Sequence, residues 1–139
     1  MTSNNRQSHY ACALILLDGK VLLGKRAPFR AAYPECWDVI GGKIEAGETA
    51  AEALSRELGE EIAIRPLAPE PFGQIKDHHA NPDDPPTYHF FKVTHWEGGA
   101  PIMNNHEHTH LEWFTAEQAC DLGNLALPEY RDLLRAALA

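Results

Sequence analysis

Glu57, Glu60 and Glu61 crowd three carboxylates into five consecutive residues, and Gly42 and Glu48 stand ahead of them in the same stretch. On a helix, like charges at i, i+3 and i+4 repel by a few tenths of a kcal/mol per pair, and Gly59 inside the run costs ~1 kcal/mol more. A divalent cation compensates such crowding, because hard Mg2+ is held by one or two carboxylates together with water and phosphate oxygens. The plainer reading is a solvated acidic face, which is what most charge runs are. The glycine-containing stretch just before the run shifts the balance toward a site that holds metal ions against phosphate.

An element must carry these acids, and the residues between them specify a helix. Thr49 followed by Glu52 is a capping box, and Ala50, Leu54 and Leu58 recur at four-residue spacing as an apolar stripe. The spacing predicts a helix from about Thr49 to Glu61. At ~100° per residue the three glutamates fall within an arc of ~100° that borders the Leu54/Leu58 stripe. The acids therefore sit beside the buried face.

Gly42, Glu48, then Arg56-Glu57-Leu58-Gly59-Glu60-Glu61-Ile62 and Ala63-Ile64 resemble the signature box of the Nudix hydrolases, G-x5-E-x7-R-E-U-x-E-E-x-G-U with U aliphatic. A chance match at the fixed positions is of order 10⁻⁷ to 10⁻⁸ per start, given ordinary residue frequencies. Ala63 stands where the box has glycine, which puts the helix exit, not the acids, in question.

The resemblance implies an α+β fold, the Nudix α/β/α sandwich with a mixed central sheet and a loop-helix-loop box. It implies Glu57, Glu60 and Glu61 as metal ligands, joined by the backbone carbonyl of Gly41, with Mg2+ as the cofactor and Mn2+ as the alternative. It further implies a later acid as ligand or general base. Glu107 is the choice by its spacing to Trp113, and Glu112 is the competitor, although alternation with Leu111 and Trp113 on a strand points Glu112 outward. Glu48 and Arg56 read as a carboxylate-guanidinium pair that holds the ligands in place, against an i, i+4 pair of Arg56 with Glu52 on the surface. Gly41-Gly42-Lys43-Ile44-Glu45 is also similar to the MutT-like branch, in which Lys43 would neutralise phosphate, Gly42 would approach it and Arg26 would contact substrate; a solvated strand-end charge is the other reading of Arg26.

The remainder of the chain is read as a support for this site. Tyr10–Leu17 and Lys20–Lys25 flank an Asp18-Gly19 hairpin turn, Trp37–Ile40 is a short buried strand, and further strands are predicted at Phe72–Asp77, Thr87–Trp96 and Leu111–Thr115. Thr115 opens a short helix as N-cap, and Pro128 sits at the first turn of a terminal helix running through Leu138. Strands on both sides of a helix, with helices again at the end, suit a mixed sheet covered on both faces. The 139 residues, 44% of them apolar, suit a single domain, residues 1–139, with residues 1–8 as a flexible terminus.

Composition excludes some partners. A net charge of −8 opposes binding to long nucleic acid, which rests on many Lys and Arg contacts to phosphate. Three cysteines form no metal-ligand spacing, and there is neither a signal-peptide apolar segment nor a membrane-length apolar run. A cytoplasmic protein with no membrane partner is expected, as a monomer or homodimer.

Two rival chemistries are written in the same chain. His106-Glu107-His108-Thr109-His110 spells H-E-x-x-H, a zinc-protease motif that requires a helix, but its neighbours are strand-like. His106, His108 and His110 alternate as a metal trio on a strand face would, but solvated histidines beside a polar loop are the plainer reading. A non-catalytic Nudix-like sensor of nucleotides is opposed by the three retained glutamates. For the substrate, a small nucleotide, Phe29 and Tyr33 can stack on a base or pack the core, and Asn104 and Asn105 can read a base edge. The expected reaction is hydrolysis of a nucleoside triphosphate, or of another nucleoside diphosphate derivative, to a nucleoside monophosphate. ADP-ribose or a nucleotide sugar is the alternative substrate.

Overall fold

A computed structural model describes residues 8–139. All but the last residue of the expected flexible terminus, 1–8, lies outside the described residues. The elements follow in the order β1 (His9–Leu17), β2 (Lys20–Arg26), β3 (Trp37–Asp38), β4 (Ile40–Lys43), α1 (Ala50–Ile62), β5 (Arg65–Pro66), β6 (Glu70–Lys76), β7 (Thr87–Val93), β8 (Trp96–Glu97), β9 (His108–Phe114), α2 (Ala116–Cys120) and α3 (Tyr130–Ala137).

Strand β1 organises the sheet. It runs parallel to β7 over His9–Ile15, and its other edge meets β4 antiparallel at Tyr10–Ala13 before turning through Asp18-Gly19 into β2. Strand β6 extends the β7 side, and β3 and β9 flank β2. One parallel pair among antiparallel ones makes the sheet mixed. Strands β5 and β8 form a separate two-stranded ribbon.

Alternation along β1 divides its side chains between two layers. Ala11, Ala13 and Ile15 pack with Leu54, Leu58 and Ile62 of α1, while Cys12 and Leu14 face Tyr130, Leu134 and Ala137 of α3 and Ala119 of α2. Both faces are covered, which is why the strand reads as an unbroken apolar run. Leu54, Leu58 and Ile62 are fully buried, each contributing about 1.5–3 kcal/mol, and their burial fixes the rotation of α1 about its axis.

The capping box at Thr49 forms as the sequence implies: its hydroxyl accepts from Glu52 N at 3.1 Å and Glu52 Oε1 accepts from Thr49 N at 2.8 Å. At the other end Ala63 caps α1 in the left-handed conformation, φ 58° and ψ 39°, at a cost of about 1–2 kcal/mol that a glycine would avoid. The exit geometry survives the missing glycine.

Several boundaries differ from expectation. Gly41 and Gly42 lie inside β4, paired with Cys12 and Ala11, so the turn ahead of the helix starts only after Lys43. The predicted strand Thr87–Trp96 breaks after Val93 and resumes as β8, paired with β5 instead of β6. Strand β9 begins at His108, earlier than Leu111, because β2 is long enough to pair with it. Helix α3 starts at Tyr130, and Pro128 occupies the turn before it. No helix among the described residues is long and apolar enough to cross a membrane.

Candidate active site

Glu57 and Glu61 are one helical turn apart on α1, and Glu107 faces them from the segment leading into β9. One carboxylate oxygen from each lies within 4.8 Å of the others. Glu61 is only 2% exposed, and its Oε2 has no hydrogen-bond partner among the described residues. Burial pushes its pKa well above the carboxylate range, reinforced by a hydrogen bond with Glu57 and by the charges of Glu107 and Glu57. An unpartnered buried carboxylate oxygen beside two further carboxylates is a donor set of the hard oxygen type that divalent cations take. The residues therefore fit such an ion.

Glu60 does not join this group. It lies ~60° around the helix from Glu57 on the side away from Glu61, with its side chain 56% exposed and its nearest charged partner, Arg56 Nη1, at 3.5 Å. The expectation of three equivalent helix ligands becomes two glutamates inside and one at the rim.

Arg56 splints the turn to the helix. Its Nε and Nη2 donate to the two oxygens of Glu48 at 2.7 and 3.0 Å, Nη1 donates to Glu57 Oε2 at 2.8 Å, and Nη2 also reaches the carbonyl of Lys43 at 3.0 Å. These bonds, with the Glu45 amide, hold the Glu48 pKa down to about 2. The alternative partner, Glu52, is occupied by the cap. Gly42 completes the arrangement, because a Cβ there would overlap the Glu57 carboxylate. Only glycine lets strand β4 and Glu57 pack so closely.

Glu107 is held from two sides. Arg30 Nη1 lies 2.8 Å from Oε1, and Asn105 Nδ2 donates to Oε2 at 3.2 Å while Asn105 Oδ1 accepts from the Glu107 amide. Asn105 thus orients the acid through both ends of its carboxamide. Asn104 is likewise engaged, donating to the carbonyls of Gly59 and Glu60 near the end of α1. Glu112 is exposed on β9, as the alternation implied.

The histidine readings fail on geometry. H-E-x-x-H falls on the approach to a strand and the strand itself, so a helical zinc site is absent there. His108 is buried under Gly24, 3.8 Å from Glu61, and burial lowers its pKa to about 4, helped by the charges of Arg30 and Arg26. His106 and His110 are exposed. Among the described residues the carboxylate trio is the one group placed to hold a metal ion.

Beside the acids opens a cleft of about 380 Å³. Gly41, Gly42 and Lys43 edge it next to Glu57 and Glu107, and Tyr10, Tyr33 and Tyr88 contribute aromatic walls. Arg26 lines it as well, but its guanidinium is committed to Asp38 Oδ2 at 3.3 Å and to the Ala32 carbonyl at 2.7 Å. Asp38 is further bonded by the Tyr130 hydroxyl and the Val39 amide, both at 2.8 Å; burial raises its pKa despite Arg26. Phe29 is 71% exposed and does not line the cleft. Tyr33 does, and its hydroxyl donates to Asp77 Oδ2 at 2.7 Å, as does that of Tyr88.

Sequence reasoning passed over Asp38, Asp77, Tyr88 and Arg30. A charge within a short apolar strand marks Asp38, and an aspartate at the end of a strand marks Asp77 more faintly. Arg30 carried no signal, since its partner is 77 positions away.

The chain is similar to known proteins in sequence and in fold. The NUDIX domain model matches residues 7–136. Nucleoside triphosphatase NudI of Escherichia coli (strain K12) is 43% identical over 65 residues, a stretch covering 47% of this chain and 46% of that protein, so the match spans less than half the length of this relative. The solution structure of the E. coli ORF135 protein is 30% identical, with a TM-score of 0.76 over 94% of this chain and 88% of that one. The crystal structure of the MutT protein from Methanosarcina mazei Go1 shares the fold at 22% identity, with a TM-score of 0.82 over 98% and 96%.

Proposed function

The chain belongs to the NUDIX domain family, and from that premise we propose that it is a Mg2+-dependent hydrolase of the pyrophosphate linkage in nucleoside triphosphates, releasing a nucleoside monophosphate. The observation that carries this reading is the convergence of Glu57, Glu61 and Glu107 at one end of the aromatic cleft, with the buried Glu61 Oε2 left without a partner. NudI, similar over less than half of its length, is named a nucleoside triphosphatase, which favours triphosphates as the substrate class.

In this reading Glu57, Glu61 and Glu107 hold the divalent ion. When bound, it neutralises charge on the phosphoryl oxygens and assists ionisation of the attacking water. The protein's own part is placement. Arg56 and Glu48 fix the Glu57 rotamer, so the ligand needs no reordering when substrate arrives. Asn105 aims Glu107, which in this reading serves the ion as ligand or takes a proton from the attacking water. Lys43 and the strand glycines edge the phosphate end of the cleft, and Tyr10, Tyr33 and Tyr88 wall the end that takes the nucleoside. Glu60, at the rim, sits beside the same Arg56 nitrogen that holds Glu57 and adds a third helix carboxylate for the ion.

The test is a panel of nucleoside triphosphates, ADP-ribose and nucleotide sugars incubated with Mg2+ or Mn2+, with products identified by anion-exchange chromatography and ³¹P NMR. Monophosphate and pyrophosphate from triphosphates, abolished by chelator, is the expected result. Tight nucleotide binding without turnover of any member of the panel would make the protein a sensor instead.

A further inference from the structure

Two arginines enter the cleft, and they differ in what they have left to give. Arg26 is tethered through Nε and Nη1 to the Ala32 carbonyl and to Asp38. The Arg30 guanidinium makes one ion pair among the described residues, with Glu107 through Nη1 at 2.8 Å, and its charge is also felt at Asp38 and Glu61. A guanidinium has five N–H donors in a planar fork suited to phosphate as well as carboxylate, so most of the capacity of Arg30 is unspent.

Its mounting suits an exchange of partners. The Arg30 amide donates to the Ala27 carbonyl at 3.1 Å, and the Ala27 amide donates to the Glu107 carbonyl at 2.9 Å. The backbone from which Arg30 springs is therefore pinned to the residue that its side chain holds. The long side chain can swing without any rearrangement of the loop.

Its position also conflicts with a bound cation. Glu107 Oε1, the oxygen taken by Arg30, belongs to the carboxylate that closes the trio with Glu57 and Glu61. A guanidinium there satisfies part of the negative charge that a divalent ion would otherwise neutralise, and positive charges a few ångströms apart in a partly buried cleft repel strongly.

We propose that Arg30 is an exchangeable counter-ion: it occupies Glu107 in the metal-free protein, yields that carboxylate when a divalent cation binds, and then grips the phosphates of the nucleotide in the cleft. This rests on the pyrophosphohydrolase reading. It makes metal and nucleotide binding mutually supportive, because the arginine expelled by the first becomes a ligand for the second.

The test separates the two ideas. Mn2+ alone is titrated by calorimetry into wild type, Arg30→Gln, Arg30→Lys and Glu57→Gln. The expected result is a Kd for Mn2+ at least ~5-fold tighter in Arg30→Gln, within twofold of wild type in Arg30→Lys, and much weaker in Glu57→Gln. In steady state with nucleoside triphosphate at saturating Mg2+, Arg30→Gln raises KM at least ~10-fold with a smaller change in kcat. Arginine side-chain ¹⁵N spectra of the wild type, assigned through Arg30→Lys, report the exchange without relying on a stable glutamine variant. The Arg30 signal shifts on adding Mg2+ and again on adding a non-hydrolysable triphosphate. Unchanged Mn2+ affinity or unchanged KM in Arg30→Gln, or an Arg30 signal indifferent to Mg2+, overturns the proposal. Wild type that binds no Mn2+ and turns over no nucleotide overturns the underlying reading of function instead.

Discussion

Gly42 and Glu57 pack against each other so closely that no side chain fits between them: a Cβ on strand β4 would lie within the Glu57 carboxylate. The glycine thereby sets where that carboxylate stands. Glu57 is also tethered, because Arg56 donates to its Oε2 at 2.8 Å. Gly42→Ala is expected to push Glu57 out of the trio and to lower kcat/KM about 10²-fold, with a far-UV circular dichroism spectrum like that of wild type. Activity within threefold of wild type would show that Glu57 does not need this position.

Glu61 makes metal-free stability depend on pH in an unusual direction. Its pKa in the folded protein lies above that of the unfolded chain, so the folded state holds the extra proton and stability falls as pH rises through and beyond the ordinary carboxylate range. Chelator-treated wild type should therefore lose Tm steadily between about pH 5 and pH 9, whereas Glu61→Gln should be flatter and more stable at pH 8, by several degrees at about 3 °C per kcal/mol. The same substitution should abolish turnover. A Glu61→Gln protein that melts below wild type at pH 8 in chelator would contradict the assignment of a penalised carboxylate.

The Arg56–Glu48 pair separates positioning from metal contact. Arg56→Lys keeps the charge but cannot reproduce a fork that donates to both Glu48 oxygens and to Glu57 at once. It is expected to cost at least ~10-fold in kcat, measured at saturating Mg2+, while leaving the KM for nucleotide within about threefold. A purely structural role would lower Tm and leave kcat of the folded fraction intact.

What the order of residues makes legible follows the range of each interaction. The helix α1, its cap at Thr49 and the stripe of Leu54 and Leu58 are local patterns, and they were legible. Glu57 and Glu61 carry their own geometry, since their relative placement is a property of the helix; the same ~100° arc is wide enough to turn Glu60 outward while Glu61 is buried. Glu107 was reached by resemblance, not by pattern. Asn105 bonds a residue only two positions along, but in an irregular segment where no periodicity marks the pairing. Arg30, Asp38 and Asp77 have side-chain partners brought near only by the fold, namely Glu107, Arg26 with Tyr130, and Tyr33 with Tyr88; β1 between β4 and β7 sets the cleft, and nothing in the local order of residues encodes that crossing.

Asp77 ties the cleft wall to the sheet, and its removal should be felt in binding before chemistry. It is fully buried, and its carboxylate accepts from the hydroxyls of Tyr33 and Tyr88 at 2.7 Å each and from the amides of His79 and Ala80 at 3.1 Å. Burial works against its ionised form, yet these four bonds prevail and hold the pKa below the ordinary aspartate value. A depressed folded pKa contributes stability that is present above the unfolded pKa and lost as pH falls through the folded one, so Asp77 adds to acid sensitivity below about pH 4. Tyr33→Phe removes a single hydroxyl from this set. The loop 27–36 then keeps its packing but loses its bond to Asp77, at a cost of about 1–2 kcal/mol. The expected result is a KM for nucleotide raised roughly 3- to 10-fold, with kcat within threefold, because Glu57, Glu61 and Glu107 do not touch this tyrosine. Asp77→Ala strips all four donors at once and should lower Tm far more, with the acid-side loss of stability correspondingly shallower. Equal KM values for Tyr33→Phe and wild type would detach the Tyr33 wall from substrate binding.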